Sequence, residues 1–285
     1  MPAVSSRMLA LLALALCYSR SAVAEVWTGD RVIDSPVEIR GESLRIDPGA
    51  RIAFKGNGRI RIEDGSLTAT RAAFEARSTL TNDFRIIVQN GRLTIGHCSF
   101  RGMKAQEAGG KDFRFIDGFL RNQYGHGSHI EDNRFIDCSA MMLLNASHVE
   151  IARNLAIRCD HAFSLLNCTE CRIESNEFFN APTAGLKVNG VRLSDVFRNR
   201  FTDCKAGLFA YHCKENRFMG NAFFGGNEGL KLWGLGPKSV VVGNRFEGVA
   251  YPISKHGETS ADAAFRDNET GKGSAGTDPI LGACL

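Results

Sequence analysis

Short runs in which apolar and polar residues alternate recur through the middle and C-terminal parts of the chain. They lie at residues 141–145, 163–167, 186–189, 208–211 and 230–233. Alternation with a period of two is typical of a β-strand with one buried face. No part of this repeat keeps an i, i+3, i+4 apolar stripe over the length of a helix. The pattern therefore predicts short strands and almost no helix.

A second marker, an Asn followed two positions later by an apolar residue, runs in phase with these strands. Its copies start 21–23 residues apart, at Asn133, Asn154, Asn176, Asn199, Asn221 and Asn244. A fixed period of this size indicates stacked repeats, and the consensus of a leucine-rich repeat is absent. The sequence thus predicts an all-β, single-domain, right-handed parallel β-helix, a three-sided solenoid with about 22 residues per coil.

Stacked coils lie about 4.8 Å apart, so residues at equivalent positions should form columns along the axis. The Asn column should be a ladder in which each side-chain amide bonds its neighbours. A column of aromatic residues should form an internal stack, namely Phe135, Phe178, Phe201, Phe223 and Phe246.

Cys138 and Cys159 each follow a ladder Asn by five residues, so they should be neighbours in one column. We expect packed thiols rather than a disulfide, because parallel side-chain vectors strain a bridge. Cys204 belongs to the same column with Ala181 between, so it should not bridge Cys159.

The ends of the chain differ from this repeat. Residues 1–24 combine Arg7, an apolar run and a small-residue Ala22-Val23-Ala24 end, which is the order of a signal peptide. We assign residues 25–269 to the β-helix, 270–285 to an irregular tail and 103–111 to a loop that interrupts the period. No apolar stretch is long enough to span a membrane. We expect a secreted or periplasmic monomer.

The in-phase Asn-x-Phe turns and the residue 44–52 stretch resemble the right-handed parallel β-helix repeat proteins. This superfamily includes pectate, alginate and chondroitin lyases, mannuronan epimerases and a periplasmic protein of nitrous oxide reductase maturation. The resemblance implies the fold and, for its enzymes, β-elimination or epimerisation of acidic polysaccharides. The calcium-binding acidic cluster of pectate lyases and the Asp-Pro-His-Asp stretch of the epimerases are absent. Their catalytic residues are therefore not carried over; the sequence requires no cofactor and leaves calcium open.

The strand pattern places cations and aromatic rings together on an outward face. Lys187 and Lys231 share one outward column, while Tyr211 and Trp233 share the next, with His212 after them. Rings pack on the C–H faces of sugars, and ammonium groups pair with carboxylates. We expect Lys187, Tyr211, Trp233 and His212 to bind an acidic polysaccharide. The alternative is a structural role, in which the rings pack under another segment of the chain and the lysines are only solvated.

If the bound polymer reacts, Lys231 or His256 is the predicted base, since either can lose a proton in a desolvated or cationic setting. The net charge of +4 suits an acidic polymer. The Lys and Arg residues are scattered along the chain and do not cluster as in a nucleic-acid-binding surface, so no nucleic-acid partner is expected.

One Cys168-x-x-Cys171 step is a weak metal signal, and no metal ligand is assigned. Two functions remain open. One is an exported β-helix protein that binds and processes an acidic polysaccharide as a lyase or epimerase. The other is a non-catalytic periplasmic scaffold or accessory protein, with or without a metal.

Overall fold

The computed structural model describes residues 23–77, 84–104 and 118–271. All regular secondary structure in these ranges is β-strand. The same ranges contain no helix long and apolar enough to cross a membrane. Of the predicted signal peptide, residues 1–22 lie outside the described residues, and Val23 and Ala24 open the first strand. Most of the predicted loop and tail, residues 105–111 and 272–285, also lies outside them.

The described strands form three parallel sheets, and each full coil contributes one strand to each sheet. The first sheet contains β1 (Val23–Trp27), β4 (Ser43–Ile46), β7 (Leu67–Thr70), β10 (Leu93–Gly96), β13 (His129–Glu131), β16 (Glu150–Ala152), β19 (Arg172–Glu174), β22 (Asp195–Phe197), β25 (Arg217–Met219), β28 (Val240–Val242) and β31 (Ala264–Arg266).

The second sheet contains β2 (Asp30–Ile33), β5 (Arg51–Phe54), β8 (Ala73–Ala76), β11 (Ser99–Arg101), β14 (Arg134–Ile136), β17 (Leu155–Ile157), β20 (Glu177–Phe179), β23 (Arg200–Thr202), β26 (Ala222–Phe224), β29 (Arg245–Glu247) and β32 (Glu269–Thr270). The third contains β3 (Pro36–Arg40), β6 (Arg59–Glu63), β9 (Arg85–Gln89), β12 (Leu120–Gln123), β15 (Met141–Leu144), β18 (His161–Leu166), β21 (Ala184–Asn189), β24 (Ala206–Tyr211), β27 (Glu228–Trp233) and β30 (Tyr251–His256).

This topology confirms the predicted all-β parallel β-helix. Each strand pairs with its equivalent one coil later, so side chains of one type stay in one column. The break in the sequence period lies within a single coil, because β11 pairs directly with β14 and sets Phe100 beside Phe135. A long insertion therefore leaves the register of the sheets unchanged.

The predicted aromatic stack is confirmed on the inner side of the second sheet. Consecutive ring centroids from Phe178 to Phe246 lie 4.8 Å apart, with interplanar angles of 6–9°. All of these rings are buried. The stack extends upstream of the predicted column, because Phe100 stacks on Phe135 at 5.0 Å and on Phe74 at 4.6 Å.

The aromatic stack has one gap, at Ala156 between Phe135 and Phe178. Phe163 of the third sheet fills it and contacts both rings edge-on, at 5.5 and 5.9 Å between centroids. Protein interiors are close-packed. The space left by the small side chain of Ala156 is therefore filled by the ring of Phe163.

The predicted asparagine ladder is confirmed at one corner of the coils. Each Nδ2 from Asn133 to Asn244 donates to the Oδ1 of the next Asn, at 2.9–3.0 Å, and the last link reaches Asn268. Each Nδ2 also donates to a backbone carbonyl of the preceding coil, as Asn176 does to Ile151. The ladder thereby satisfies the buried polar groups that each sharp corner exposes to the core.

Seven cysteines lie in the described residues, and all of them are buried free thiols. Cys138 and Cys159 stand on neighbouring coils as buried, unbridged thiols that donate to backbone carbonyls, as the predicted packed pair requires. Ala181 separates Cys159 from Cys204, which is not bridged to it. Burial raises the pKa of Cys204 to about 11, so this thiol is a packing group and not a nucleophile at neutral pH.

Candidate functional site

The third sheet has its longest strands in the C-terminal coils, and these strands position the candidate site. β21, β24, β27 and β30 have six residues each. Their inward residues are buried as predicted: Leu186, Val188, Leu208, Ala210, Leu230 and Leu232. The outward residues form two columns, one with Lys187, Phe209 and Lys231, and one with Tyr211, Trp233 and His256.

We call the outward residues Phe209, Tyr211, Lys231, Trp233 and His256 the ridge. The Tyr211 and Trp233 ring centroids are 6.2 Å apart, and Trp233 stacks on His256 at 5.3 Å. Lys231 Nζ lies 5.6 Å from the Phe209 centroid, within cation–π range. Trp233 remains 41% exposed. The ridge therefore presents ring edges and an ammonium group on one surface.

Glu228 ties the two predicted bases together. Its Oε2 accepts a hydrogen bond from Lys231 Nζ at 2.8 Å, and its Oε1 lies 3.6 Å from Nε2 of His256. The side chain of Glu228 is 13% exposed, so this carboxylate is largely screened from water. Nε2 of His256 is itself buried and has no hydrogen-bond partner among the described residues.

The sequence pattern assigns no role to Glu228, because strict alternation would turn it inward with Leu230. The pairing of β24 with β27 skips Gly229, at which a Cβ would lie 2.7 Å from the Phe246 ring. The absence of a side chain at Gly229 lets the backbone approach the aromatic stack, and Glu228 then faces out. Tyr251 stands opposite Glu228 on the next coil and is exposed. A Gly inside a strand pattern is the one sequence signal for this irregularity.

Lys187 occupies the predicted column, but the prediction that its side chain is exposed is wrong. Only 7% of it is exposed, and Met142, Leu144 and Ser164 on the same outward columns are buried too. Its Nζ lies 6.0 Å from the Phe209 centroid, and burial lowers the pKa of this ammonium group. The accessible part of the outward face therefore begins after Lys187.

His161 lies beside Lys187 at the start of β18. Burial, with a smaller contribution from the charge of Lys187, lowers the pKa of His161 to about 4. The folded protein thus holds this imidazole neutral at pH values where an unfolded chain would protonate it.

We expect His161 to make the protein acid-sensitive. Between its ordinary pKa of 6.5 and its folded value of about 4, only the unfolded chain binds the proton, so stability falls as the pH falls. The loss should reach up to about 3 kcal/mol at the lower end of this window. Urea unfolding at pH 7 and pH 4.5 should show a smaller difference for His161→Gln than for the parent. Equal differences in both proteins would contradict the assignment.

An open pocket of about 810 Å³ adjoins the ridge at the next corner. Its side-chain walls are His212, Trp233, Glu258 and Thr259, and much of the rest is glycine backbone. Two of those glycines have positive φ angles, Gly234 (+63°) and Gly257 (+67°). A Cβ on Gly234 would lie 2.7 Å from His212 Nδ1, so glycine lets the His212 ring pack against the backbone of this corner. His212 therefore belongs to the pocket wall, next to Tyr211.

Within residues 23–77, 84–104 and 118–271, no group of three or more His, Cys, Asp or Glu side chains is arranged to hold a metal ion. The thiols of Cys168 and Cys171 contact each other, but both are buried and donate to backbone carbonyls. Cys168 and Cys171 are therefore a packed pair of thiols in the core.

Comparison by sequence gives one family match. The family model described as periplasmic copper-binding protein (NosD) matches residues 118–234, which is less than half of the chain. No curated protein matches the chain.

Several solved structures share the fold. A double mutant of the periplasmic alginate epimerase AlgG gives a TM-score of 0.56 at 11% identity, over 87% of this chain and 80% of that one. The alginate lyase AlyF-OU02 in complex with G6 gives 0.56 at 13% identity, over 90% and 59%. The GH136 lacto-N-biosidase from Eubacterium ramulus gives 0.61 at 7% identity, over 90% and 64%. These likenesses confirm that the chain is a parallel β-helix repeat protein, and at such identities they show the fold alone.

Proposed function

We propose that this chain is a periplasmic or secreted carbohydrate-binding β-helix whose ridge takes an acidic polysaccharide. The observation that carries the proposal is the alignment of the half-buried Tyr211 ring and the exposed Trp233 ring beside the ammonium group of Lys231. Nζ of Lys231 has three N–H donors, and Glu228 accepts from one of them. The other two remain for a carboxylate of the polymer.

The solved structures support this proposal at the level of the fold. The alginate epimerase and alginate lyase neighbours act on a polysaccharide by their names. A shared fold alone does not carry an activity, so the argument for this chain rests on its own ridge.

If the bound glycan reacts, the acid–base groups are Lys231 and His256. Lys231 is the more accessible of the two, whereas Nε2 of His256 is buried against Glu228. Glu228 holds both groups in place, so we assign it as a positioning residue. Incubation with a panel of polyuronates, followed by the absorbance of unsaturated products, tests for a lyase step.

A non-catalytic periplasmic accessory protein is the second candidate, and the match to the copper-binding family model favours it. The described residues do not fit a resident copper ion, because no three potential ligands converge and the paired thiols are buried in the core. In the part of the chain that the structure describes, this candidate would therefore act through its surface.

We expect Trp233→Ala and Lys231→Ala each to weaken the binding of an acidic oligosaccharide by about tenfold, as the loss of one good contact does. Ion pairing is screened by salt, so the affinity of the parent should fall as ionic strength rises. With Lys231→Ala, affinity should depend less on salt, whereas Trp233→Ala should keep the salt dependence. Titration calorimetry at two salt concentrations measures both effects.

The matched control is Lys55→Ala, which removes an exposed cation just after β5 in an N-terminal coil, away from the ridge. Thermal melts of all variants exclude unfolding as the cause of weak binding. Unchanged affinity in both ridge variants, or no binding of any acidic glycan by the parent, would contradict the proposal.

A further inference from the structure

We infer that the pocket beside Trp233 binds an uncharged sugar unit, so that the preferred ligand is a mixed polysaccharide in which uronate and uncharged sugars alternate. This inference rests on the proposed function of the ridge. It adds a second subsite with a different charge preference.

The pocket wall contains a negative charge and no Lys or Arg. Neither Lys nor Arg lines the pocket, whose one carboxylate is Glu258. Glu258 is exposed and forms no ion pair with the described residues. A carboxylate accepts hydrogen bonds from two hydroxyl groups of a sugar but repels a uronate, which carries the same charge. The pocket therefore favours an uncharged ring.

The remaining walls fit a sugar ring as well. The Trp233 side chain adds an apolar surface, and no described residue accepts a hydrogen bond from its indole N–H. The glycine backbone at Gly234 and Gly257 lets the His212 and Trp233 side chains pack directly against it, which holds these two walls in place. A volume of about 810 Å³ falls within the range of about 300–1,000 Å³ usual for ligand pockets.

The position of Trp233 joins the two subsites. It belongs to the ridge and also lines the pocket. Lys231 is two residues away on the same face of β27, about 7 Å along a strand. Adjoining units of one glycan chain can therefore contact both, with the uronate at Lys231 and the uncharged unit at Glu258.

The test compares two ligands that carry the same number of carboxylates. One is a hyaluronan octasaccharide, in which glucuronate alternates with an uncharged N-acetylated sugar, and the other is a mannuronate tetramer. By calorimetry the parent should bind the mixed oligosaccharide about tenfold more tightly, as one added subsite allows. Glu258→Ala should abolish this preference, because the mixed oligosaccharide loses a hydrogen-bond acceptor and the tetramer is no longer repelled, and Glu258→Lys should reverse it. Glu177→Ala, an exposed carboxylate of the second sheet, is the matched control.

The outcomes separate this inference from the proposed function. Equal affinity for the two ligands, or a preference that survives in Glu258→Ala, overturns the pocket and leaves the ridge intact. Binding of neither ligand overturns both. A melt that matches the parent shows that Glu258→Lys is folded.

Discussion

Replacing Phe201 with Ala should lower the free energy of unfolding by about 3–5 kcal/mol, the usual cost of emptying a buried Phe site. Its ring is buried and stacks on Phe178 and Phe223, at 4.8 Å from each. The coils above and below are fixed by their own hydrogen bonds, so the cavity cannot close cheaply. Urea unfolding followed by circular dichroism measures the change.

The control for this experiment is Phe224→Ala, because the chain places Phe224 on the outer side of the same sheet. That ring is partly exposed, and the Arg200 guanidinium lies over it at 4.2 Å. Its removal leaves no internal cavity, so the loss should be well below that of Phe201→Ala. A loss below about 1 kcal/mol for Phe201 itself would refute its place in the core.

Replacing Asn176 with Ala should cost at least about 3 kcal/mol, because several buried polar groups lose their partners at about 1–3 kcal/mol each. Its Oδ1 accepts from the backbone N–H and from Nδ2 of Asn154, and its Nδ2 donates to Ile151 and Asn199. All of these groups are remote from water. Equilibrium unfolding in urea gives the difference, and Asn227→Ala, at an exposed position, is the control.

Asn176→Asp distinguishes the hydrogen-bond ladder from simple packing. The Asp carboxylate has nearly the same shape as the Asn amide, but it can only accept hydrogen bonds. It would face two other acceptors, the carbonyl of Ile151 and Oδ1 of Asn199, to which Asn176 donates. We expect it to be at least as damaging as Ala. Near-native stability of Asn176→Asp would mean that volume, and not donation, is what the position requires.

The columns of this solenoid could be predicted from sequence because a β-helix repeats one geometry. Once the Asn positions set the period, the partners of Phe201 and Cys159 follow by counting residues. The replacement of a ring by Phe163 at the Ala156 gap could not be predicted in this way. It depends on how two different sheets share volume inside the coil, which a pattern along one strand does not contain.

Prediction of the site was less complete for the same reason. Alternation placed Lys187, Tyr211, Lys231 and Trp233 on the outward columns, yet it says nothing about what else lies over that face, so the burial of Lys187 was missed. The sequence placed Glu228 near this face, but its contacts with Lys231 and His256 were not predicted, because alternation fails at Gly229. The pocket at Glu258 arises from turns, whose path the strand period does not determine.

The separation of inward and outward columns has a consequence for how such proteins diverge. Inward columns repeat from coil to coil and hold the register through rings and amides. Outward residues of one coil can change without altering the phase of the next coil. Selection can therefore rewrite the ligand surface one coil at a time, and the surface can move along the axis when whole coils are gained or lost. A fold retained at 7–13% identity among proteins named for different glycans is what such piecewise change would leave behind.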